Sequence, residues 1–347
     1  MEKIICQNMS YAPVLITTCN RYEHLKKTIE GLVQCTYANK TDLYISVDFP
    51  PSDKYLDGYN HVKEFLKEEI IGFNSVTVFY QEKNLGAFEN ESFLFEMVRE
   101  KGYKFAICLE DDTIAKPALL DFMNKCFEYY KEDDNIVGVH VHGADIKPND
   151  VQYNAVYAHY GAYNGFFIDK RDHIEKTVDK LYLLDILLDK KKRNKLKCIS
   201  KNIFSHCVII ALGLEPKLMN KDGTVAVIDY VFNIYCWMEN QYGIASVQGL
   251  TVNNGLDGTG LHAGDEPICP PFGYYDESEI EVTVQDKEFC FNREIEIHSR
   301  EQVDTKYYIK CCICVFFLRV FGENASKKIW NVMEYFSKVR PRISKRK

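Results

Sequence analysis

The sequence predicts an α/β fold built on a mixed, mainly parallel sheet flanked by helices, and three observations predict it. Over the first 141 residues, short apolar runs alternate with segments of helical period, the pattern of parallel strands joined by crossover helices. The runs, Pro13 to Thr18, Leu43 to Asp48, Ser75 to Gln81, Lys104 to Leu109 and Ile136 to Val141, all have strand length. The 347 residues, 46% hydrophobic and 27% charged, suffice for a sizeable core and exclude a largely disordered chain.

Between the first two strands, Leu25, Ile29, Leu32 and Val33 fall on one helical face. Asn20 is the predicted N-cap, with Glu23 three residues on as in a capping box. Pro117 suits a first helical turn, so a second helix is predicted from near Lys116, its core stripe made of Leu119, Leu120, Met123, Phe127 and Tyr130. Residues 142–250 mix helical stretches such as Lys180 to Lys192 with aromatic loops such as Tyr157 to Phe167. Beyond residue 270 come a Pro-Pro turn, a strand-like stretch from Glu279 to Gln285, and an apolar segment, Tyr307 to Phe321, broken by Lys310 and Arg319. That segment is too short and too charged to span a bilayer, which takes about 20 apolar residues, but it suits an amphipathic helix lying in the interface. The organisation expected is a first half over 1–141, a second half over 142–300 with a glycine-rich loop near 253–264, and a basic C-terminal extension over 301–347.

A net charge of −7 argues against a general nucleic-acid binder, yet the sign reverses at the end of the chain. From Lys327 to Lys347 there are eight Lys or Arg against one acid, Glu334. Such a segment suits an anionic membrane surface, or is simply solvated. The run Lys190, Lys191, Lys192, Arg193, Lys195, Lys197 reads as a solvated face, with phosphate or membrane contact as the alternative. Thirteen cysteines and a start, MEKIICQNMSYAP, without a long apolar stretch imply reduced thiols, mostly core filler, in a cytoplasmic protein. Cys311, Cys312 and Cys314 lack a second Cys/His pair at zinc-ligand spacing.

The apolar run Lys104 to Leu109 ends in three consecutive acids, Glu110, Asp111 and Asp112. At the carboxyl end of a parallel strand they stand where open α/β sheets bind ligands. Three adjacent carboxylates repel one another, and a hard cation, Mn²⁺ or Mg²⁺, relieves the repulsion while completing its shell with water and substrate phosphate. The competing reading, a helix cap, fits less well because the next helix is predicted four residues beyond Asp112.

Four segments in order, Pro13–Arg21, Tyr44–Asp48, Asn84–Asn90 and Leu109–Thr113, resemble the GT-A glycosyltransferases. The likeness is to family 2-like bacterial sugar transferases and, more remotely, to N-acetylglucosaminyltransferase I. The Glu-Asp-Asp triplet stands where that family has its DxD-type metal motif. The resemblance implies a GT-A fold, a Rossmann-like nucleotide-diphospho-sugar transferase domain. It implies that Asp112 ligates the metal and that Glu110 and Asp111 face the ribose and donor sugar. By the same likeness Thr17 and Arg21 contact the nucleotide, Asp48 recognises the base, and Asn84, Gly86 and Asn90 line the nucleotide pocket. Taken singly, Arg21 also reads as a surface first-turn residue, Asp48 as a strand-end acid and Gly86 as a turn glycine.

A second cluster, Val227–Trp237 followed by Leu250–His262, resembles the family's acceptor-side helix and its Asn-x-Gly-x-Asp-Gly-x-Gly-x-His loop. The chain has Ile228 where many relatives have Trp, and Gly161–Asp169 where they often have a Trp-rich segment. Direct sugar transfer needs a carboxylate to take the acceptor proton, and Asp229 is the candidate, with an N-cap as its other reading. The loop with Gly255, Gly258 and Gly260 reads as a lid, and His262 as a contact to metal or diphosphate, or as a structural histidine. The expected activity is inverting transfer from a UDP-sugar to a saccharide or lipid-linked saccharide, on the cytoplasmic side with peripheral membrane contact. A sugar nucleotidyltransferase is a rival, disfavoured because Thr17-Thr18-Cys19-Asn20-Arg21 lacks a phosphate-cradling glycine. A non-catalytic, membrane-associated nucleotide-sugar-binding protein is another.

Overall fold

The computed structural model describes residues 2–3, 11–214, 228–255, 269–300 and 303–339. The chain forms two compact units, the first from residues 1–171 and 242–294, the second from 172–241 and 295–347.

The strands of the first unit are β1 (Glu2–Lys3), β2 (Val14–Thr18), β3 (Asp42–Val47), β4 (Ser75–Tyr80), β5 (Phe105–Glu110), β6 (Thr113–Ala115), β7 (Ile136–His140), β8 (Ala155–Ala158), β9 (Gly165–Phe167), β10 (Tyr242–Ser246), β11 (Thr251–Asn253) and β12 (Thr283–Val284). Among the described residues ten of them form one sheet, in the order β1-β12-β8-β10-β7-β9-β5-β2-β3-β4, while β6 and β11 pair separately. The run β5-β2-β3-β4 is parallel throughout. Register places Val14 beside both Leu43 and Ile107, so β2, β3 and β5 finish at one edge, with Thr17 level with Glu110. Largely buried on both faces, β2, β3 and β5 read as near-continuous apolar runs, which is why their positions were legible.

Helices α1 (Tyr22–Val33), α2 (Leu56–Phe65), α3 (Ala87–Glu100) and α4 (Leu119–Tyr130) belong to the same unit. α3 packs on β2 and β3, and α4 on β7. The predicted stripe of α4 is buried throughout, and Phe127 stacks on Phe105 with centroids 5.0 Å apart. Truncating Phe127 to alanine would cost about 3–5 kcal/mol of stability. Asp121 and Asn124 on the same helix are also fully buried. Asn124 accepts from the Ala12 N–H at 2.8 Å, and Asp121 from the Ile280 N–H at 2.8 Å, so α4 ties down two distant chain segments.

Several expectations need correction. Asn20 is not the cap of α1. Arg21 occupies that position, without a side-chain capping bond, because its guanidinium is drawn to the acidic triplet. The second helix begins at Leu119 rather than near Lys116, since the chain first pairs as β6 against β11. Tyr157–Phe167 is not all loop: β9 lies antiparallel between β5 and β7. Only Thr283–Val284 of the Glu279–Gln285 stretch is strand.

The chain leaves the first unit within α5 (Ile168–Thr177) and again within α10 (Lys287–Arg300). The second unit holds α6 (Lys180–Leu188), α7 (Lys190–Ile199), α8 (Lys201–Ala211), α9 (Ile228–Glu239), α11 (Thr305–Phe321) and α12 (Glu323–Val339). The helix predicted over Lys180 to Lys192 is broken at Asp189, whose extended backbone and side chain cap α7 by accepting from the Lys192 N–H at 2.8 Å. Within the basic run, Arg193 is not solvated. It is buried and donates to the carbonyls of Leu187 and Leu188 at 2.7 and 3.1 Å, closing the C-terminus of α6. The described cysteines are free and mostly buried. No helix among the described residues is long and apolar enough to cross a membrane.

Candidate active site

The carboxyl edge of β2, β3 and β5 gathers two clusters. The first is the acidic triplet. Asp111 and Asp112 are 4% and 5% exposed, a depth at which carboxylates need partners. Arg21, leading into α1, supplies one by pairing with Asp111 through Nη2 and with Asp112 Oδ2 through Nη1 at 2.7 Å. Thr18, the last residue of β2, donates to Asp111 Oδ2 at 2.7 Å, and Thr28, two turns along α1 from Arg21, donates to the Asp111 carbonyl at 2.8 Å. Thr18 and Thr28 were missed in the sequence. The signals were there: Thr18 ends the strand, and Thr28 lies seven residues from Arg21, on the same helical face.

The positive charge supplied by Arg21 does not balance the acids. Burial raises the Asp111 pKa from its ordinary value even though Arg21 and Thr18 oppose it. Glu110 keeps solvent access, but its carboxyl group is hemmed in by protein; burial first, then Asp112, Asp111 and Glu91, push it up to about 7. Glu91 itself pairs with buried Arg171 at 2.7 Å. Asp112 Oδ1 is buried and has no hydrogen-bond partner among the described residues. An under-compensated acid cluster with one open carboxylate oxygen fits a hard cation that takes one or two protein carboxylates and fills its remaining positions from water and phosphate. No group of three or more His, Cys, Asp or Glu side chains converges as a metal cage among the described residues.

The strand pair β6–β11 holds the far side of Asp112. Asn254 donates its N–H to the Asp112 carbonyl at 2.8 Å, and Gly255 follows. A Cβ on Gly255 would lie 2.0 Å from Asp112 Oδ2, so only glycine allows this approach. The start of the predicted lid is thereby seated against the triplet, while Gly258, Gly260 and His262 lie outside the described residues. His142, just past β7, also enters the site unannounced by the sequence. Its Nδ1 is 2.8 Å from Thr251 Oγ1; burial lowers its pKa while nearby Asp112 acts in the opposite sense.

The second cluster is organised by Asp48, 6% exposed at the end of β3. Its Oδ1 accepts from the Leu85 N–H at 2.8 Å, and its Oδ2 from Gly86 N–H and Asn84 Nδ2, both at 2.9 Å. Gly86 has φ +83°, a value that favours glycine, and its N–H reaches the carboxylate as the chain turns into α3. Asn90 is buried and accepts from Ser46 Oγ at 2.5 Å, bracing β3 from α3. Cys19 lies within electrostatic reach of both clusters: burial, then Asp48 and Asp111, push its thiol up to about 11. The structure thus brings Arg21, Asp111 and Asp112 together, and Asp48, Asn84 and Gly86 together. Thr17, on β2, hydrogen-bonds in register with its neighbours, but Thr18 is the one that reaches the triplet.

Asp229 stands in the first turn of α9, one residue inside the helix start at Ile228 rather than at its cap. It belongs to the second unit.

No family model matches the chain, and no curated protein matches it by sequence. Solved structures do. The S. aureus TarS 1–349 structure in complex with UDP matches with a TM-score of 0.40 and 7% identity, over 94% of this chain and 92% of that one. A mannosyltransferase, PcManGT from Pyrobaculum calidifontis in complex with GDP-Man and Mn²⁺, matches with a TM-score of 0.31 and 12% identity, over 50% of each chain. A longer S. aureus TarS structure matches with a TM-score of 0.32 and 12% identity over 48% of this chain, which spans 30% of that one.

Proposed function

We propose that the chain is a GT-A-type glycosyltransferase that moves a hexosyl or N-acetylhexosaminyl group from a UDP-sugar to a saccharide or lipid-linked saccharide, with inversion and with Mn²⁺ or Mg²⁺. The observation that carries this reading is the Glu110-Asp111-Asp112 cluster at the carboxyl edge of the parallel strands, under-compensated by Arg21 and with Asp112 Oδ1 open.

Asp112, joined by His262, would hold the metal, which when bound supplies Lewis-acid neutralisation of the diphosphate. Arg21 adds a fixed positive charge beside the phosphates. Asp48 holds the 84–86 turn as the wall of the nucleotide pocket, and its Oδ1, accepting one N–H within the protein, keeps capacity for a base N–H. Glu110 and Asp111 face the ribose and donor sugar. In the transfer, the acceptor oxygen forms its bond to the anomeric carbon as the bond to the diphosphate oxygen breaks. The electron pair leaves with the nucleoside diphosphate, and Asp229 takes the acceptor proton. The 253–264 loop excludes water from the donor.

A panel of nucleotide-sugars assayed for metal-dependent hydrolysis and transfer tests the reading. Release of nucleoside diphosphate and sugar supports it; release of pyrophosphate from a nucleoside triphosphate would instead identify a nucleotidyltransferase. For the base, Asp229→Ala is expected to lower transfer kcat about 10³-fold with donor binding unchanged, and wild-type turnover of the native acceptor would exclude Asp229.

A further inference from the structure

Helix α12 has two unlike faces. Inward, Ser326 and Trp330 are buried, with Ser326 Oγ donating to the Cys314 carbonyl at 2.7 Å and Trp330 packed on Tyr307 at 5.7 Å. Outward, Val332, Tyr335 and Phe336 are 48%, 65% and 60% exposed. Their spacing of three and four residues puts them on one face, and exposed Lys328 lies one turn before Val332 on that face. An aromatic pair open to water on an ordinary solvated helix is unusual enough to call for an occupant.

The charge around this face selects one. The acid within the segment, Glu334, pairs with Lys310 of α11 at 2.6 Å and so is taken up by the hairpin itself. The sequence continues past the helix with Arg340, Arg342, Lys345, Arg346 and Lys347 and no acid. A second copy of the chain would bring like charges together over the same face. A nucleic-acid backbone would use the cations but leave Val332 and Phe336 in water. An anionic bilayer satisfies both, since cations meet headgroups while aromatic side chains enter the interfacial layer. We infer that α12 docks the chain on an anionic lipid surface, with Tyr335 and Phe336 inserted and Lys328 against the headgroups.

The test uses the full chain and vesicles of phosphatidylcholine, with or without phosphatidylglycerol, in a sedimentation assay. The chain is expected to sediment with the mixed vesicles, to be released by salt, and to stay in solution with phosphatidylcholine alone. The double variant Tyr335→Ser, Phe336→Ser should weaken partition at least about tenfold, with unchanged circular dichroism. Phe336→Trp should show a blue-shifted emission on adding mixed vesicles only. Equal binding to both vesicle types, or undiminished partition of the double variant, overturns the inference. So does light scattering in which the double variant merely converts a dimer to a monomer, or binding of RNA in preference to the mixed vesicles. The docking stands apart from the catalytic reading, and the double variant is expected to bind soluble UDP as the native chain does.

Discussion

Gly255→Ala perturbs the site by a single methyl group, and its effect can be worked out from the geometry. The added Cβ would lie 2.0 Å from Asp112 Oδ2, 2.7 Å from Cγ and 3.1 Å from Asp112 Cβ. Non-bonded carbon–oxygen contacts need roughly 3 Å or more, so the carboxylate must move by about 1 Å or the backbone at 254–255 must give way. The backbone is held by Asn254 N–H to the Asp112 carbonyl at 2.8 Å and by Gly255 N–H to Asn253 Oδ1 at 2.8 Å. The carboxylate therefore moves, and its 2.7 Å contact with Arg21 moves with it. A displacement of about 1 Å at a catalytic centre costs about 10²-fold in rate. Donor turnover at saturating Mn²⁺ is the assay for kcat/KM, and a calorimetric titration of Mn²⁺-dependent UDP binding checks the result independently of activity. Native values for both in the alanine variant would refute the placement of Gly255 against a working Asp112.

Arg21→Ala leaves Asp111 and Asp112 buried without their guanidinium and is expected to lower stability by about 3 kcal/mol in urea unfolding, part of it restored by Mn²⁺. Asp48→Ala deprives Asn84, Leu85 and Gly86 of their shared acceptor and should cost about 2 kcal/mol while weakening UDP binding about tenfold, read by the same two methods. His140 gives a pH signature. Burial pushes its pKa down to about 3, below that of the unfolded chain, so protons bind preferentially to the unfolded state between the two values. Its contribution to stability is complete above the unfolded pKa of about 6.5 and is lost as pH falls toward 3, about 3 kcal/mol of it by about pH 4.5. Urea midpoints against pH should show that slope in the native chain and a shallower one in His140→Gln.

The parallel strands of the first unit were legible because their signals are local. Strands buried on both faces read as apolar runs, and three acids that begin with the last residue of one of them mark the carboxyl edge of the sheet. What the sequence did not disclose are contacts closed over long separations. Thr251 comes within 2.8 Å of His142, and Gly255 against Asp112, only because β11 pairs with β6. Strands of three residues carry too little alternation to be seen, and β9, at Gly165–Phe167, was hidden in an aromatic stretch for the same reason. The capping box at Asn20 misled because the local capping preference was overridden by the pull of Asp111 and Asp112 on Arg21. Arg193 misled likewise: in sequence it is one of a row of cations, and only the break at Asp189 turns it inward to the end of α6.

The most direct test is a calorimetric titration of UDP into the native chain and into Asp112→Asn, each with and without Mn²⁺. A nucleotide-sugar site that holds its metal through Asp112 gives UDP binding strengthened by Mn²⁺ in the native chain, and loss of that strengthening in the variant with its fold intact. Binding equally strengthened by Mn²⁺ in both chains, or no UDP binding by the native chain, would contradict it.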